Sequence, residues 1–432
     1  MHLKYNERGN SVKKSIAHIF VVGFALFSML FGAGNVIFPP YLGLSCGAQW
    51  VQGFLYYFLA DIGLAMGCLF AIQHSGSPQA IVGHMGKIPS HIMGCMIVIC
   101  IGPMLGIPRT AASTFEMSIL PLFPQGNSVL FSFLFFGIVA LLCLKESSVI
   151  DIIGKILTPL LLVGLLVLIV QGVLHPIGPI PDRVLVDNVP VTGIRAGYQT
   201  MDVLAVVIFG VLISKSVKGK GYETPQQQKH IIYGAVMVAG ISLFAIYLGL
   251  SYLGVTASAL FDLRVDHTYL ITTIVHRLLG QSGTVIFSIV VALACLTTAV
   301  ALVSACSGYF SFLSSRKIHY TWLVVIMCAF SAVVTTFGLN QIIAIAAPIL
   351  DVVYPPTVFL ILASFFERWI PNDWVFRFGA AGACVVSVMG LLYKCGLPFD
   401  FLHMLPLDSY GFGWLLPALV CSAVGFLLPG KK

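Results

Sequence analysis

From Ile16 to Leu44 the sequence carries no Asp, Glu, Lys or Arg. Such a run is long enough to cross a hydrocarbon core of roughly 30 Å as a helix rising about 1.5 Å per residue. It does not read as one unbroken helix. Gly32 and Gly34 weaken helical backbone, Asn35 competes for backbone hydrogen bonds, and Pro39 and Pro40 bring no amide donor. The segment is therefore expected to divide into two half-helices near Gly32 to Asn35. Lipid does not tolerate exposed non-helical backbone, so a break at membrane depth must be buried in protein or face an aqueous cavity, the usual setting of a solute or ion site. A glycine face packed on a neighbouring helix would show the same Gly-x-Gly spacing. The Asn and the two Pro that follow favour the break.

The rest of the chain belongs in the same environment. Of 432 residues, 58% are hydrophobic and 9% charged, against about 25% charged in a soluble protein. The expectation is an all-α polytopic membrane protein with twelve spans, at about 16–44, 49–72, 92–119, 128–144, 150–173, 197–214, 231–254, 283–312, 320–337, 341–365, 374–393 and 411–429. The first apolar run is too long, and too interrupted, for a cleavable signal peptide. The eleven Cys lie almost all in apolar spans without a Cys-x-x-Cys, so they read as small buried hydrophobes. No nucleotide-binding loop, metalloprotease motif or other catalytic signature is present.

With the N-terminus inside, Lys4, Arg8, Lys13, Lys14, Lys87, Lys145, Lys155, Lys215, Lys218, Lys220, Lys229, Arg316, Lys317, Arg368, Arg377, Lys431 and Lys432 fall in cytoplasmic segments. The opposite loops hold Arg183, Arg195, Arg264, Arg277 and Lys394. Seventeen against five fixes an even number of crossings with both termini cytoplasmic. The net charge of +7 is thus a topology signal and not a nucleic-acid patch. Two long external loops are expected at 174–196 and 255–282, the second containing a helix from Tyr269 to Leu279 over the outer mouth. The basic stretch 215–229 is expected to be a solvated hinge between two halves.

Five spans beyond the first, Gly197-Tyr-Gln-Thr-Met-Asp202 places a second polar interruption at the head of the sixth span. Five is odd, so two five-span units, about 16–173 and 197–365, would enter from opposite faces as an inverted repeat whose broken helices 1 and 6 meet near the midplane. The last two helices, about 374–429, lie outside the pair.

Charges within spans cost about 2.5 to 3.5 kcal/mol each on insertion scales, so each needs a partner or a purpose. Arg109 and Glu116 stand seven residues apart in the third span, too far for an i, i+4 pair, and each is expected to pair with another span. A packing ion pair and a functional role both remain open for Arg109. Gly102-Pro103 and Pro108 should make that helix irregular. Asp202 beside Thr200 suits either a cavity role, holding a substrate amine or coupling to a cation, or a half-helix cap. Asp61 and Asp351 sit inside spans as hydrogen-bonded, cavity-facing or proton-carrying carboxylates. In the eighth span, Thr297 and Thr298 offer adjacent hydroxyls. They either bond back to their own helix or serve a small hard cation such as Na⁺ beside a freed carbonyl.

Phe31-Gly-Ala-Gly-Asn-Val-Ile-Phe-Pro-Pro40, Gly106-Ile-Pro-Arg-Thr110 with Phe115-Glu116, and Gly197 to Asp202 resemble the bacterial branched-chain amino acid:cation symporter family. The resemblance runs in order over essentially the whole chain. It implies uptake of Leu, Ile and Val coupled to Na⁺, and a LeuT-type five-plus-five fold in the cell (inner) membrane. More distantly, Gly32-Ala33-Gly34-Asn35 is similar to the break in LeuT-type first helices, and Ala294-x-x-Thr297-Thr298 to their eighth-helix cation motif. Carried over, this implies Na⁺ ligands from the carbonyls of Ser28, Phe31 and Ala294 and the hydroxyls of Thr297 and Thr298. The substrate carboxylate would meet amides around Ala33 to Asn35. Asp61 departs from the family pattern. No cofactor besides the coupling ion is implied, and no nucleic acid or obligate protein partner; the partners are the amino acid, Na⁺ and the bilayer. A proton-coupled carrier of another small amphiphile, using Asp61, Asp202 or Glu116, is the alternative. An intramembrane enzyme would need a cluster of carboxylates or His at one rim, which the sequence lacks. A passive channel would not accumulate its solute.

Overall fold

The structure is a computed structural model that describes residues 2–75, 83–144, 158–370 and 372–428. Phe31 and Gly32 separate α1 (His2–Leu30) from α2 (Ala33–Cys46), and neither is helical. An uninterrupted helix would direct the Gly32 amide to the Ser28 carbonyl. Instead it turns back to the Leu30 carbonyl at 2.8 Å. The break is therefore shorter than the expected window, and Asn35 already lies in the first turn of α2. Pro39 and Pro40 do not stop this helix either: both lie inside it. Close packing supports α2 along its length. A Cβ on Gly254 would sit 1.8 Å from the Pro40 carbonyl, and one on Gly43 would sit 1.9 Å from the Ser251 carbonyl. Backbone meets backbone there, as small residues permit in membrane helices.

The second span divides into α3 (Trp50–Phe58) and α4 (Leu64–Ser75) around a wide π turn, Leu59–Gly63, that carries Asp61. The third is irregular where its Gly and Pro predict. α5 (Lys87–Ile99) gives way to the turn Cys100–Met104, with Gly102 non-helical, before α6 (Gly106–Thr114) and a last turn Phe115–Ile119 that holds Glu116. Pro108 falls in the first turn of α6, where its missing donor costs little. α7 (Ser128–Leu144) and α8 (Thr158–Leu174) follow. The expected start of the fifth span at 150, with Lys145, Lys155, Lys431 and Lys432, lies outside the described residues.

The sixth span differs from its reading. Val189–Thr200 (α9), expected in part as external loop, is a helix that ends at Met201, whose backbone is left-handed (φ 67°, ψ 12°) before α10 (Asp202–Gly219) begins. Gly193 and Gly197 explain the discrepancy. A Cβ on Gly193 would lie 2.5 Å from the Gly53 carbonyl, and one on Gly197 3.0 Å from that of Tyr57, so α9 is held by α3 and not by its own hydropathy. The expected hinge 215–229 also contracts. Lys215 and Lys218 lie on α10, and Lys229 lies on α11 (Pro225–Thr256), whose first turn is capped by Thr224.

α12 (His267–Leu313) contains the expected external helix and the eighth span, separated at Gly280 with φ 65° and ψ −163°. α13 (Tyr320–Thr335), α14 (Leu339–Phe365), α15 (Trp374–Lys394) and α16 (Leu415–Leu427) complete the chain. Each expected span overlaps a described helix. Among the described residues, seven helical segments are by themselves long and apolar enough to cross a membrane, and five more are apolar but shorter. Large apolar side chains such as Leu141, Val163, Ile241, Trp322 and Phe330 stand exposed on their outer faces, as a protein solvated by lipid requires. This is a multi-pass membrane protein.

Candidate functional site

The two breaks meet. Asn35, in the first turn of α2, donates through Nδ2 to Asp202 Oδ2 at 2.7 Å and bonds the Tyr247 hydroxyl, while its Oδ1 accepts the Gly32 amide at 3.3 Å. Asp202 opens α10, where its negative charge complements the helix N-terminus. Thr200, the last residue of α9, places its hydroxyl 2.7 Å from Asp61 Oδ1 and 2.5 Å from the Gly197 carbonyl. Asn35, Asp61, Thr200 and Asp202 are all buried.

Arg109 corrects the expectation of an ion pair. Among the described residues it makes none. Its guanidinium instead bonds the Gln199 carbonyl and, at 2.9 Å, that of Thr200, which are orphan carbonyls at the C-terminal end of α9. A cation at the negative end of a helix is favourable, so the guanidinium is hydrogen-bonded by backbone carbonyls and not by a side-chain carboxylate. The same guanidinium lies over Phe38, 5.7 Å from the ring centre, and its Nη2 is 2.7 Å from where a Gly34 Cβ would stand. Gly34 thus makes room for Arg109. Glu116 also lacks a cationic partner among the described residues. It accepts from Thr268 Oγ1 at 2.9 Å and the Leu339 amide at 3.1 Å, tying the end of the third span to α12 and α14.

Thr298 lies across the first break: a Cβ on Gly32 would be 3.2 Å from its Cγ2 and 3.5 Å from its Oγ1. Its hydroxyl is buried and meets no partner among the described residues. Thr297 instead bonds back to the Ala294 carbonyl at 2.7 Å, so of the paired hydroxyls one is engaged by its own helix. Ser28 and Phe31 are buried at the end of α1, with Phe31 stacked on Phe27. Asp351 belongs elsewhere. It pairs with Lys394 at 2.5 Å in a separate pocket beside Arg195, Tyr198 and Trp414.

A cavity of about 30 Å³ lies between the breaks, bounded by Gly32, Asn35, Arg109, Thr200, Asp202 and Thr298, with Ile101, Phe209 and Leu302 as its apolar wall. That is far below the roughly 300 Å³ or more of a small-molecule pocket. One turn further along the same helices, a cavity of about 690 Å³ is lined by Val98, Ile208, Val211, Ala305 and Gly308 and reaches Lys215 and His91. On the other side Tyr198 and Tyr354 stack with ring centres 4.3 Å apart, and Arg109 locks α9. Tyr247, Tyr57 and Tyr354 were not legible as site residues. Each is one aromatic in an apolar run, and only the fold turns it towards the carboxylates.

The chain matches the family model described as "Branched-chain amino acid transport protein" over residues 15–432. It is 32% identical over 432 residues to a protein of Staphylococcus aureus (strain USA300), provisionally named a branched-chain amino acid carrier, covering 95% of this chain and 96% of that one. The counterpart in strain MRSA252 is 33% identical over 431 residues, with the same coverage. Among solved structures it is similar to a Na⁺-coupled sialic acid symporter in a substrate-bound outward-open state (TM-score 0.61, 13% identity, 96% of this chain and 91% of that one). It is also similar to MhsT in complex with L-phenylalanine (TM-score 0.58, 16% identity, 94% and 98%). At such identities the likeness is one of fold, the LeuT-type fold.

Proposed function

Because the chain belongs to the branched-chain amino acid transport protein family, and is thus a transport protein and not an enzyme, we propose that it is a secondary active symporter. It moves Leu, Ile or Val inward with Na⁺ by alternating access, through twelve crossings of the inner membrane with both termini cytoplasmic and helices 1 and 6 as the broken members of an inverted repeat. One observation carries this reading: two helix breaks, from distant parts of the sequence, converge through the Asn35–Asp202 bond on one buried cavity.

The Na⁺ site is formed by the carbonyls of Ser28, Phe31 and Ala294 with Thr297 and Thr298. The Gly32 amide turns away from the Ser28 carbonyl, and the Thr298 hydroxyl is buried without a partner; an oxygen-seeking cation supplies what both lack. The substrate carboxylate is held at the head of α2, on amides around Ala33 to Asn35, with Arg109 against Gly34 adding positive charge. Its amine faces Asp202 and the end of α9 at Thr200. A branched side chain cannot enter about 30 Å³, so loading requires α1 and α2 to part from the apolar wall of Ile101, Phe209 and Leu302. Pockets of this kind discriminate one methylene by only about 1 to 3 kcal/mol, and overlapping specificity follows. Cation and substrate reinforce each other by linkage: whatever factor Na⁺ adds to leucine affinity, leucine adds to Na⁺ affinity.

Uptake of labelled Leu, Ile, Val, Ala and Met into proteoliposomes tests this. Leucine should accumulate under an imposed Na⁺ gradient and not under a proton gradient alone. Accumulation driven by protons without Na⁺ would establish the second reading, proton-coupled transport, which the burial of Asp61 and Asp202 side by side favours.

A further inference from the structure

Asp61 is fully buried and Asp202 is 4% exposed. Their carboxyl groups lie within hydrogen-bonding reach of each other across the break at Met201. A carboxylate only accepts hydrogen bonds, so two ionised groups in this position repel and have nothing to share. Among the described residues neither is in an ion pair. Asp202 Oδ2 takes the Asn35 amide; among the described residues Asp61 Oδ2 has no well-aligned partner, and the nearby Tyr57 hydroxyl, itself without a partner, is the one neutral donor close to it. Asp61 Oδ1 depends on Thr200, whose single hydroxyl proton also faces the Gly197 carbonyl at 2.5 Å. The charged and titratable groups facing the pair are Tyr57 from α3, Arg109 from α6, Tyr247 from α11 and Tyr354 from α14. Arg109 is the one cation among them, and it offsets one of the two negative charges. The cluster is short of one positive charge.

We propose that Asp61 and Asp202 form a proton-binding site in which the two carboxyl groups share one proton. A proton meets that deficit: it bridges the pair as O–H···O and brings Asp61, Asp202 and Arg109 to neutrality. The site lies off the Thr298 position but adjoins the cavity, since Asp202 lines the cavity and Asp61 stands behind it. Release is a simple transfer: the bridging O–H bond breaks, water in the cavity takes the proton, and both carboxylates are left ionised. Positive charge arriving at Asp202, such as a substrate ammonium, therefore displaces the proton. This last consequence rests on the symport reading; the proton site itself does not.

Infrared spectra of the purified, lipid-reconstituted protein in H₂O and D₂O test the proposal. The wild-type protein should show the carbonyl stretch of a buried protonated carboxyl, shifted in D₂O and shifted again when all aspartates carry carbon-13 at the carboxyl. The band should be absent in Asp61→Asn, whose amide donates to Asp202 without a proton, and present in Glu116→Gln. A wild-type protein without such a band, or a band insensitive to aspartate labelling, overturns the proposal whether or not the variants fold. In weakly buffered solution, leucine should also release a proton from the wild-type protein. Leucine bound with no proton released contradicts the displacement, whereas absence of leucine binding contradicts the symport reading and leaves the infrared result standing.

Discussion

At Gly34 a hydrogen in place of a side chain leaves room for a guanidinium. The first 2.7 Å beyond a Gly34 Cβ is occupied by Arg109, with Phe38 at 3.3 Å. Gly34→Leu should therefore abolish leucine binding while the protein still inserts and folds, whereas Gly34→Ala should weaken it, because the end of a flexible arginine can yield. Labelled-leucine binding, alongside thermal unfolding in detergent, separates the two; normal binding by folded Gly34→Leu would contradict the assignment of this half-helix to the substrate. Thr298 provides the second residue-scale prediction. Thr298→Ala removes an oxygen without removing a charge, so apparent Na⁺ affinity should fall about tenfold, the equivalent of ~1.4 kcal/mol, with transport partly retained at saturating Na⁺. Thr298→Ser keeps the oxygen and should be mild. Leucine uptake measured against Na⁺ concentration decides the matter, and an unchanged Na⁺ titration in Thr298→Ala would remove the eighth-helix site.

Half-helices bring their own liabilities, since each exposes unsatisfied backbone at membrane depth. Arg109 serves the C-terminal end of α9, and Arg109→Ala would leave the carbonyls of Gln199 and Thr200 buried without donors. Hydrogen bonds to a charged group are worth about 1.5 to 3 kcal/mol, so a loss of about 3 kcal/mol is expected in detergent unfolding. Arg109→Lys should fall between, because one ammonium cannot reproduce the planar fork. The external helix at the head of α12 offers a contrast. Asp266 caps it, accepting from the amides of Thr268 at 2.8 Å and Tyr269 at 3.1 Å and from Asn340 Nδ2 at 2.6 Å. Burial works to raise the pKa of this carboxyl, but the donors outweigh it and hold it below the ordinary carboxylate range. Asp266→Ala should cost about 1 kcal/mol. Since the folded value is the lower one, that difference should stay constant from neutral pH down to about pH 4, the unfolded value, and vanish only as pH falls through the folded value. A difference that disappears already at mildly acidic pH would show the cap to be uncharged.

For the whole molecule the testable quantity is orientation. Cys395, just beyond α15, is exposed, while the other cysteines are buried or half-buried. The proposed topology, an even number of crossings with cytoplasmic termini, would put it outside the cell. A membrane-impermeant maleimide should therefore label Cys395 in right-side-out vesicles and lose that label in Cys395→Ser. Labelling only from the cytoplasmic side would invert the topology. Cavities open towards both ends: one of about 690 Å³ reaches Lys215, and one of about 810 Å³ lies beside Glu116, Asp266 and His276.

The sequence by itself determined the environment, the helical class, and the places where helices fail. These depend on composition over about 20 consecutive residues and on local backbone chemistry, so Gly32 and the Thr200–Asp202 segment could be singled out before any fold was known. α9 escaped because its helicity rests on Gly193 and Gly197 fitting against another span. The partners of the charged groups escaped for a related reason. Arg109 meets Thr200 across 91 residues, Asp61 meets Thr200 across 139, and Asn35 meets Asp202 across 167. No periodicity spans such separations, and a guanidinium in lipid can be satisfied by a carboxylate or by the carbonyls of a helix end. Tertiary structure chose the second, by bringing the C-terminal end of α9 to Arg109 and leaving Asp202 to Asn35 and Asp61.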